Sequence, residues 1–435
     1  LEYMTTQHPF IDRTSLVIVG DHVTLESGTG CVHTAPGHGI EDFVVCKNYP
    51  EIPIIVPVDA KGRLTEEAGM FAGLTTEEAN KPIALYLDKI GALFALKKIE
   101  HQYPHCWRCH KPVIFRATSQ WFCSVDDFKD EAIKAAEDVK WFPEWGKDRL
   151  QSMVRERADW CISRQRKWGV PIPVVYCQDC GKEIIDNDIM MKVSKIFGEE
   201  GSDAWFAHDA EYFLPEGFKC PHCGSDEGFD KEEEMMGVWF DSGSSHAAVC
   251  RKRGYLKVPA DVYLEGADQY RGWFQSSLLT SVAGGNGAPY KQIITHGWTV
   301  DGEGKKMSKS LGNGIDPQEI IGKYGADILR LWVASADYHA DIRISPEILK
   351  QISDNYRKLR NTARYCLSNL YDFDPDKDMV SNDELEELDK YALMKLDEVL
   401  EIARGAFEVY DYHTAAHSLH NFCVVEMSNF YFDVL

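Results

Sequence analysis

The chain reads as a multidomain α/β protein. Three observations carry this. Short β-branched runs broken by Gly and Pro fill residues 1–100. A strand–helix–strand pattern follows over residues 260–300. Beyond Pro346, apolar residues recur at steps of three or four. The 435 residues suffice for several domains and a sizeable core.

Taken in order, residues 1–100 are expected to be β-rich, with strands near Leu16–Val19 and Ile52–Val58 between Gly and Pro turns. Residues 101–255 are irregular and rich in Cys, Trp and Pro, the composition of a metal-stapled insertion. Within residues 256–318, a strand Asp261–Glu265, a helix Gln269–Val282 and a strand Gln292–Thr295 make one βαβ unit of a parallel sheet. Residues 319–345 form a junction. Residues 346–435 are helical: Ile348, Ile352, Tyr356, Leu359, Ala363 and Leu367 share one face, as do Ala415, Leu419, Phe422, Cys423, Met427 and Phe430. The acidic stretch Tyr371–Glu387, with Pro375, is a loop between helices. No internal repeat or long low-complexity segment is present.

Composition narrows the classes. With 44% apolar and 27% charged residues the chain fits an ordinary globular protein. The longest apolar runs, such as Ile52–Val58, are short and broken by proline, which speaks against a membrane-spanning helix, and no signal peptide pattern is present. The net charge of −22 favours solubility and disfavours nonspecific binding of polyanions. Two local basic patches remain for phosphates: Arg149–Arg166, with Arg155, Arg157 and Arg164, and Arg357–Arg364. The chain opens on Leu1 and stops at Leu435 inside an apolar helical pattern, so we expect a piece of a longer protein.

Four motifs carry chemistry. The first is Gly302-Glu-Gly-Lys-Lys-Met-Ser-Lys-Ser310. Its glycines give a mobile loop, and its lysines and serines suit a triphosphate, whose leaving pyrophosphate gathers negative charge. A solvated basic turn is the bland alternative. Gly284-Gly-Asn-Gly287 lacks the Gly-Lys-Ser/Thr of a P-loop. The second motif, Leu264-Glu-Gly-Ala-Asp-Gln-Tyr-Arg-Gly-Trp-Phe274, starts at the carboxyl end of a strand, where open α/β sheets bind ligands. A carboxylate there, Glu265, can accept from an ammonium or a ribose hydroxyl. The alternative is a helix start capped by Asp268.

The third motif is the turn Gly28-Thr-Gly-Cys-Val-His-Thr-Ala-Pro-Gly-His-Gly-Ile-Glu-Asp-Phe43, with two histidines and an acidic pair; on residues alone, a structural turn is the better reading. The fourth is cysteine. Of thirteen cysteines, six form C-x-x-C pairs: Cys106/Cys109, Cys177/Cys180 and Cys220/Cys223. Without a secretory signal such pairs read as metal-binding thiolates in a reducing compartment, hence the cytosol. Cys177, Cys180, Cys220 and Cys223 make four thiolates for a closed structural zinc site. His222 is a bystander, and Cys106/Cys109 is a lone pair.

Lys306-Met-Ser-Lys-Ser310 resembles the KMSKS signature of class I aminoacyl-tRNA synthetases. His296-Gly-Trp-Thr-Val-Asp-Gly302 and Leu311-Gly-Asn313 resemble their isoleucyl branch, and the likeness runs essentially end to end. The resemblance implies the C-terminal half of a Rossmann-like nucleotide-binding domain, part of a β-rich editing domain, a zinc-binding insertion, and an α-helical anticodon-binding bundle. It implies a cytoplasmic, monomeric ligase that activates isoleucine with ATP and Mg2+, charges tRNA(Ile), and hydrolyses misattached valine. It assigns Lys309 to ATP, assisted by Lys306 and Ser308. Glu265, Gly266, Asp268 and Gln269 would hold the aminoacyl-adenylate, with His296 facing it and Trp239 and Trp273 bordering the isoleucine side chain. His33 and Asp42 would position the misattached ester, Asp42 gripping its ammonium across the glycine turn. Editing is needed because one methylene gives little binding discrimination, a limit for which isoleucyl enzymes are themselves the standard illustration. Arg357, Lys358, Arg360 and Arg364 would meet tRNA phosphates. A partner for Cys106/Cys109 would come from earlier sequence.

Two departures stand out. No HIGH-type motif occurs, and the threonine-rich editing segment is absent, so each active site is expected to be half present and the lysine loop poorly ordered. The rivals are the valyl branch and a non-catalytic zinc-containing RNA-binding protein.

Overall fold

A computed structural model describes the chain except for residues 25–28, 99, 107–108, 167 and 309–311. It divides into two compact units, Leu1–Ser119 and Gln120–Leu435. In the first, Thr5–Gln7 pairs antiparallel with Thr14–Leu16. Helices Ile40–Cys46 and Thr76–Lys89 follow, with a 3-10 segment Glu66–Phe71 between them. The second helix starts at a reciprocal cap: Glu78 N donates to Thr75 Oγ1 (3.2 Å) and Thr75 N to Glu78 Oε2 (2.9 Å).

The β-rich expectation for residues 1–100 is therefore corrected. Among the described residues there, the hairpin strands are three residues each and helix outweighs them. Ile52–Val58 forms no strand, only the bridge Val58–Leu64. Pro53 and Pro57 each remove a backbone donor, so β-branched residues there have no ladder to join.

The second unit is built on a three-stranded parallel sheet in the order Tyr263–Gly266, Gln292–His296, Lys140–Phe142. Its core gathers Trp141, Leu150, Val154, Tyr270, Phe274, Leu278 and Ile293. The βαβ unit is present, but its helix is interrupted. A 3-10 turn, Ala267–Arg271, precedes the α-helix Trp273–Ala283. The break is at Gly272, where an added Cβ would lie 2.4 Å from Gln269 Oε1.

The stretch 101–255 is not a single insertion. Lys140–Phe142 belongs to the parallel sheet. Val175–Cys177 pairs antiparallel with Glu183–Ile184 and Phe229–Lys231, over a separate core of Val175, Ile189, Val193, Trp205, Phe213 and Phe229. Helix Val238–Gly243 then returns to Trp273–Ala283. Contact there is so close that a Cβ on Gly243 would sit 2.9 Å from the Ser276 backbone.

Beyond the sheet, Thr299–Val300 runs parallel to Ile342–Arg343. Helices Pro317–Tyr324 and Ala326–Ser335 occupy the junction. Helix Pro346–Ser368 follows the expected periodicity and starts with Ser345 Oγ accepting from Ile348 N (3.3 Å). The apolar face from Ala415 to Phe430 is realised as helix Tyr412–Asn421 continued by a π-helical segment, Phe422–Tyr431. Helix Glu387–Glu408, which the sequence pattern had not singled out, packs against it.

Candidate functional site

The cysteine centre is assembled locally. In each knuckle the first cysteine's N–H donates five residues ahead: Cys177 to Lys182 O (3.0 Å) and Cys220 to Ser225 O (2.7 Å). Its carbonyl accepts from Gly181 N and Gly224 N, each at 2.8 Å. Gly181 (φ 67°) and Gly224 (φ 82°) take the left-handed conformation that the tight return needs. The four sulfurs lie within 4.8 Å of one another. Cys177 Sγ is 3.6 Å from Cys223 Sγ, and Cys180 Sγ is 3.8 Å from Cys220 Sγ. Zn–S bonds of about 2.3 Å require tetrahedral S···S edges of about 3.8 Å, so the donor set fits zinc. His222 turns away, its Nε2 3.2 Å from Glu183 O.

The pair Cys106/Cys109 shows the same knuckle bonding. Cys106 N donates to Lys111 O and His110 N to Cys106 O, both at 2.8 Å, and His110 takes the left-handed position (φ 56°) filled by glycine in the other two. Residues 107–108 of this pair lie outside the described residues.

At the sheet, parallel register sets Gly266 beside His296 at the carboxyl ends of two strands. Three side chains converge on Gly266. A Cβ there would lie 2.9 Å from Asp268 Oδ1, 3.4 Å from His296 Cε1 and 3.8 Å from Trp298. Glu265 is exposed at the same edge. Asp268 does not cap the following helix. Gln269 does, its Oε1 accepting from Trp273 N (2.8 Å) while its Nε2 donates to Asp268 Oδ2 (3.2 Å). His296 Nδ1 is 2.7 Å from Gly297 O. Trp273 stacks on Tyr263 (3.9 Å, 7°) and donates its indole N–H to Ser242 O (2.9 Å), which commits much of its ring to the core. Trp239 stays 45% exposed, and its ring edge would be 3.0 Å from a Cβ on Gly272.

The lysine loop follows the short strand Thr299–Val300, just beyond His296. Val300 bridges back to Lys306, whose ammonium sits 5.9 Å from the centre of the Trp298 ring. Asp301 organises the turn. Its Oδ1 accepts from Glu303 N (3.0 Å) and Lys305 N (2.8 Å), and its Oδ2 from the Asn313 amide (2.9 Å). The Asn313 amide, then the backbone donors, hold the Asp301 carboxyl below its ordinary range. Asn313 Oδ1 accepts from Ser308 N (2.9 Å), and Met307 packs against the apolar cluster of Ile320, Ile328, Trp332, Ile344 and Leu349. These bonds hold the described part of the loop; the expectation of poor order centred on residues that include Lys309 and Ser310, outside the described residues. Lys309, expected to bind ATP, lies outside the described residues, as do Ser310 and Leu311. The Asp301–Asn313 clamp was missed in the sequence, where a turn-forming Asp-Gly pair was its only local signal.

In the first unit, Asp42 stands in the first turn of Ile40–Cys46 and folds back, its Oδ2 accepting from Ala35 N (2.9 Å). Gly37 is pressed so closely to the chain that a Cβ would be 2.3 Å from Ile55 O. His33 is exposed near His8, whose pKa is lowered by burial, then by Arg13 and His33.

The first basic patch is partly structural. Arg157 donates to Gln275 Oε1 beneath the sheet helix and faces Trp160 at 5.3 Å, and burial lowers its pKa. Arg164 donates to the Cys161 carbonyl (3.0 Å). On the helix Pro346–Ser368, by contrast, Arg357, Lys358, Arg360 and Arg364 are all exposed, with Arg357 paired to Asp354.

Residues 22–345 match the family described as tRNA synthetases class I (I, L, M and V), and residues 389–435 match the anticodon-binding domain of tRNA ligase. An isoleucine–tRNA ligase of Caldicellulosiruptor saccharolyticus is 61% identical over the whole chain, which covers 47% of that relative. One from a Thermoanaerobacter species is 59% identical and is covered to 46%. The chain therefore spans about half the length of the curated relatives it matches. A Mycobacterium tuberculosis methionyl-tRNA synthetase, solved in complex with methionyl-adenylate, shares the fold at TM-score 0.53 and 21% identity, over 76% of this chain and 56% of its own. The chain belongs to the class I tRNA synthetases of the isoleucine, leucine, methionine and valine type.

Proposed function

We propose that this chain supplies one wall of an enzyme that activates isoleucine with ATP and transfers it to tRNA(Ile). The observation that carries this is the register that brings Gly266 and His296 together at the sheet's carboxyl edge, with the Lys306 ammonium facing the ring of Trp298, two residues past His296. Gly266, lacking a Cβ, lets Asp268 and His296 draw close to the backbone at this edge, where they would border the adenylate. The exposed Glu265 carboxylate can accept from the substrate ammonium or a ribose hydroxyl. Gln269, held by the Trp273 amide, shapes the adjoining wall, where Trp239 and Trp273 border the isoleucine side chain.

When the isoleucine carboxylate attacks the α-phosphate, charge builds on the departing pyrophosphate. Lys306, with Ser308 and Lys309, would offset it alongside the Mg2+ that accompanies ATP. No covalent nucleophile is required; positioning and charge supply the rate.

Three further assignments belong to this reading. Asp42, whose Oδ1 has no partner among the described residues, would hold the ammonium of a misattached valine beside His33. Zinc in the four-thiol centre would brace the knuckle sheet and take no part in the reaction. The exposed cations Arg357, Lys358, Arg360 and Arg364 would meet tRNA phosphates. The setting is a monomer in a reducing, cytosolic compartment.

Isoleucine-dependent exchange of pyrophosphate into ATP tests the reading. We expect exchange from the chain completed to the length of its relatives and none from the 435 residues alone, which lack a HIGH-type motif. Alignment in a near-attack geometry can contribute about 7–11 kcal/mol. Robust exchange by the 435 residues would place the active site elsewhere.

A further inference from the structure

Tyr410 adopts φ 61°, a left-handed conformation uncommon for a residue with a side chain. It sits in the turn between helices Glu387–Glu408 and Tyr412–Asn421. The turn is tightly bonded: Asp411 N returns to Ala406 O (2.8 Å), and Asp411 Oδ1 accepts from Thr414 N (3.1 Å). Its conformation aims the Tyr410 ring at the parallel sheet. The ring meets Phe142 edge-on at 4.9 Å, and its hydroxyl donates to Gln292 Oε1 (3.3 Å). The Tyr410 carbonyl accepts from the Tyr338 hydroxyl at 2.8 Å.

Tyr338 begins the segment against which the lysine loop is built. Its own carbonyl accepts from Gly297 N (2.8 Å). Gly297 and Ala340 touch so closely that a Cβ on Gly297 would lie 2.4 Å from the Ala340 carbonyl. Asp341 Oδ1 accepts from Trp298 N (2.8 Å), and Ile342 N donates to Trp298 O (2.8 Å). Trp298 carries Lys306 on its face. A series of hydrogen bonds therefore runs from the helical turn at Tyr410, through Tyr338, to Gly297 and Trp298, and the Trp298 ring faces the Lys306 ammonium.

We infer that Tyr338 is a positioning residue for the lysine loop, latched by its hydroxyl to the Tyr410 turn of the helical region. The latch fixes residues 337–342, and these fix the height of Trp298 and Lys306 over the carboxyl edge of the sheet. The role for Lys306 rests on the proposed activation chemistry; the latch itself does not.

Tyr338→Phe removes one hydroxyl and keeps the ring. Tyr391→Phe is the control, since it removes a comparable hydroxyl bond, to Glu426 (2.9 Å), elsewhere among the same helices. The first readout is amide hydrogen exchange on the 435-residue chain. Tyr338→Phe should speed exchange at Gly297, Trp298, Ile342 and Ile344 by about tenfold, the net worth of one hydrogen bond, with Val175 and Tyr176 unchanged. Tyr391→Phe should leave all of them unchanged. The second readout is pyrophosphate exchange in the completed enzyme, where Tyr338→Phe should raise KM for ATP several-fold and leave KM for isoleucine unchanged. Unaltered exchange rates at Gly297 and Trp298, or equal acceleration by Tyr391→Phe, overturn the latch. A normal KM for ATP despite faster amide exchange overturns its role in positioning Lys306. If the unaltered completed enzyme shows no pyrophosphate exchange, the activation reading fails, and the hydrogen-exchange comparison still decides the latch.

Discussion

Removing metal from the four-thiol centre should unfold the knuckle sheet and leave the parallel sheet standing. The two rest on separate apolar clusters. The knuckle sheet has strands of only three, two and three residues, too short to persist without a staple. Its core includes Cys177 and Cys220 themselves, at 0% and 3% exposure. Structural zinc contributes about 10–16 kcal/mol in small zinc-binding peptides, comparable with the whole stability of a domain, about 5–15 kcal/mol. The perturbations are a strong chelator and, separately, Cys220→Ser. Metal analysis of protein purified without chelator should find about one zinc per chain. Amide exchange should then show Val175, Tyr176 and Gly224 losing at least a thousandfold in protection on metal removal, while Ile293 and Ile294 keep theirs. Three decades correspond to about 4 kcal/mol, under half the lower figure for zinc. Undiminished protection after complete metal removal would refute the reasoning, as would a disulfide joining Cys177 to Cys223.

Four more outcomes are expected, the first two by pyrophosphate exchange in the completed enzyme. Gly266→Ala places a Cβ 2.9 Å from Asp268 Oδ1, and it should cut exchange by about 100-fold or more with melting unchanged; wild-type exchange would remove Gly266 from the adenylate shelf. Lys306→Ala should cost on the order of 100-fold in rate, and a loss below threefold would leave the loop without its assigned charge role. Asp42→Ala should let valyl-tRNA accumulate while isoleucine activation stays near normal, and undiminished deacylation of valyl-tRNA would count against the editing assignment. Asp301 has a folded pKa below its ordinary value because the Asn313 amide and backbone N–H groups bind its ionised form. Its contribution to loop order is therefore complete above about pH 4 and lost as pH falls through the lowered value. Protection of the Glu303 and Lys305 amides, corrected for intrinsic rates, should fall only in that acid range, and loosening near pH 6 would point to another group.

Much of the chemistry was legible because it is written over short spans. A C-x-x-C knuckle closes its own hydrogen bonds within six residues, so Cys177–Lys182 and Cys220–Ser225 could be read as metal-binding turns from spacing alone. The strand–turn–helix around Glu265 and Gly266, the basic loop after His296, and the periodic helix Pro346–Ser368 are equally local. The β-rich reading of residues 1–100 failed because β-branched composition records only a side-chain preference. A strand also needs a partner and free N–H groups, and Pro53 and Pro57 deny these to Ile52–Val58.

What the tertiary structure alone decided lies between residues far apart in sequence. Lys140–Phe142 carries no strand signal over three residues, yet it completes the parallel sheet because Gln292–Ile294 offers it a ladder. The basic residue Arg157 turns inward because Gln275 meets it beneath the sheet helix. Asp301 needs Asn313, twelve positions on, before it becomes a clamp, and Tyr338 needs Tyr410. The sequence by itself determined which chemical groups are present and which short turns present them, since spacing within one turn sets geometry directly. Which distant groups face one another was decided by packing, because a hydrogen bond across seventy residues depends on where every intervening element comes to rest.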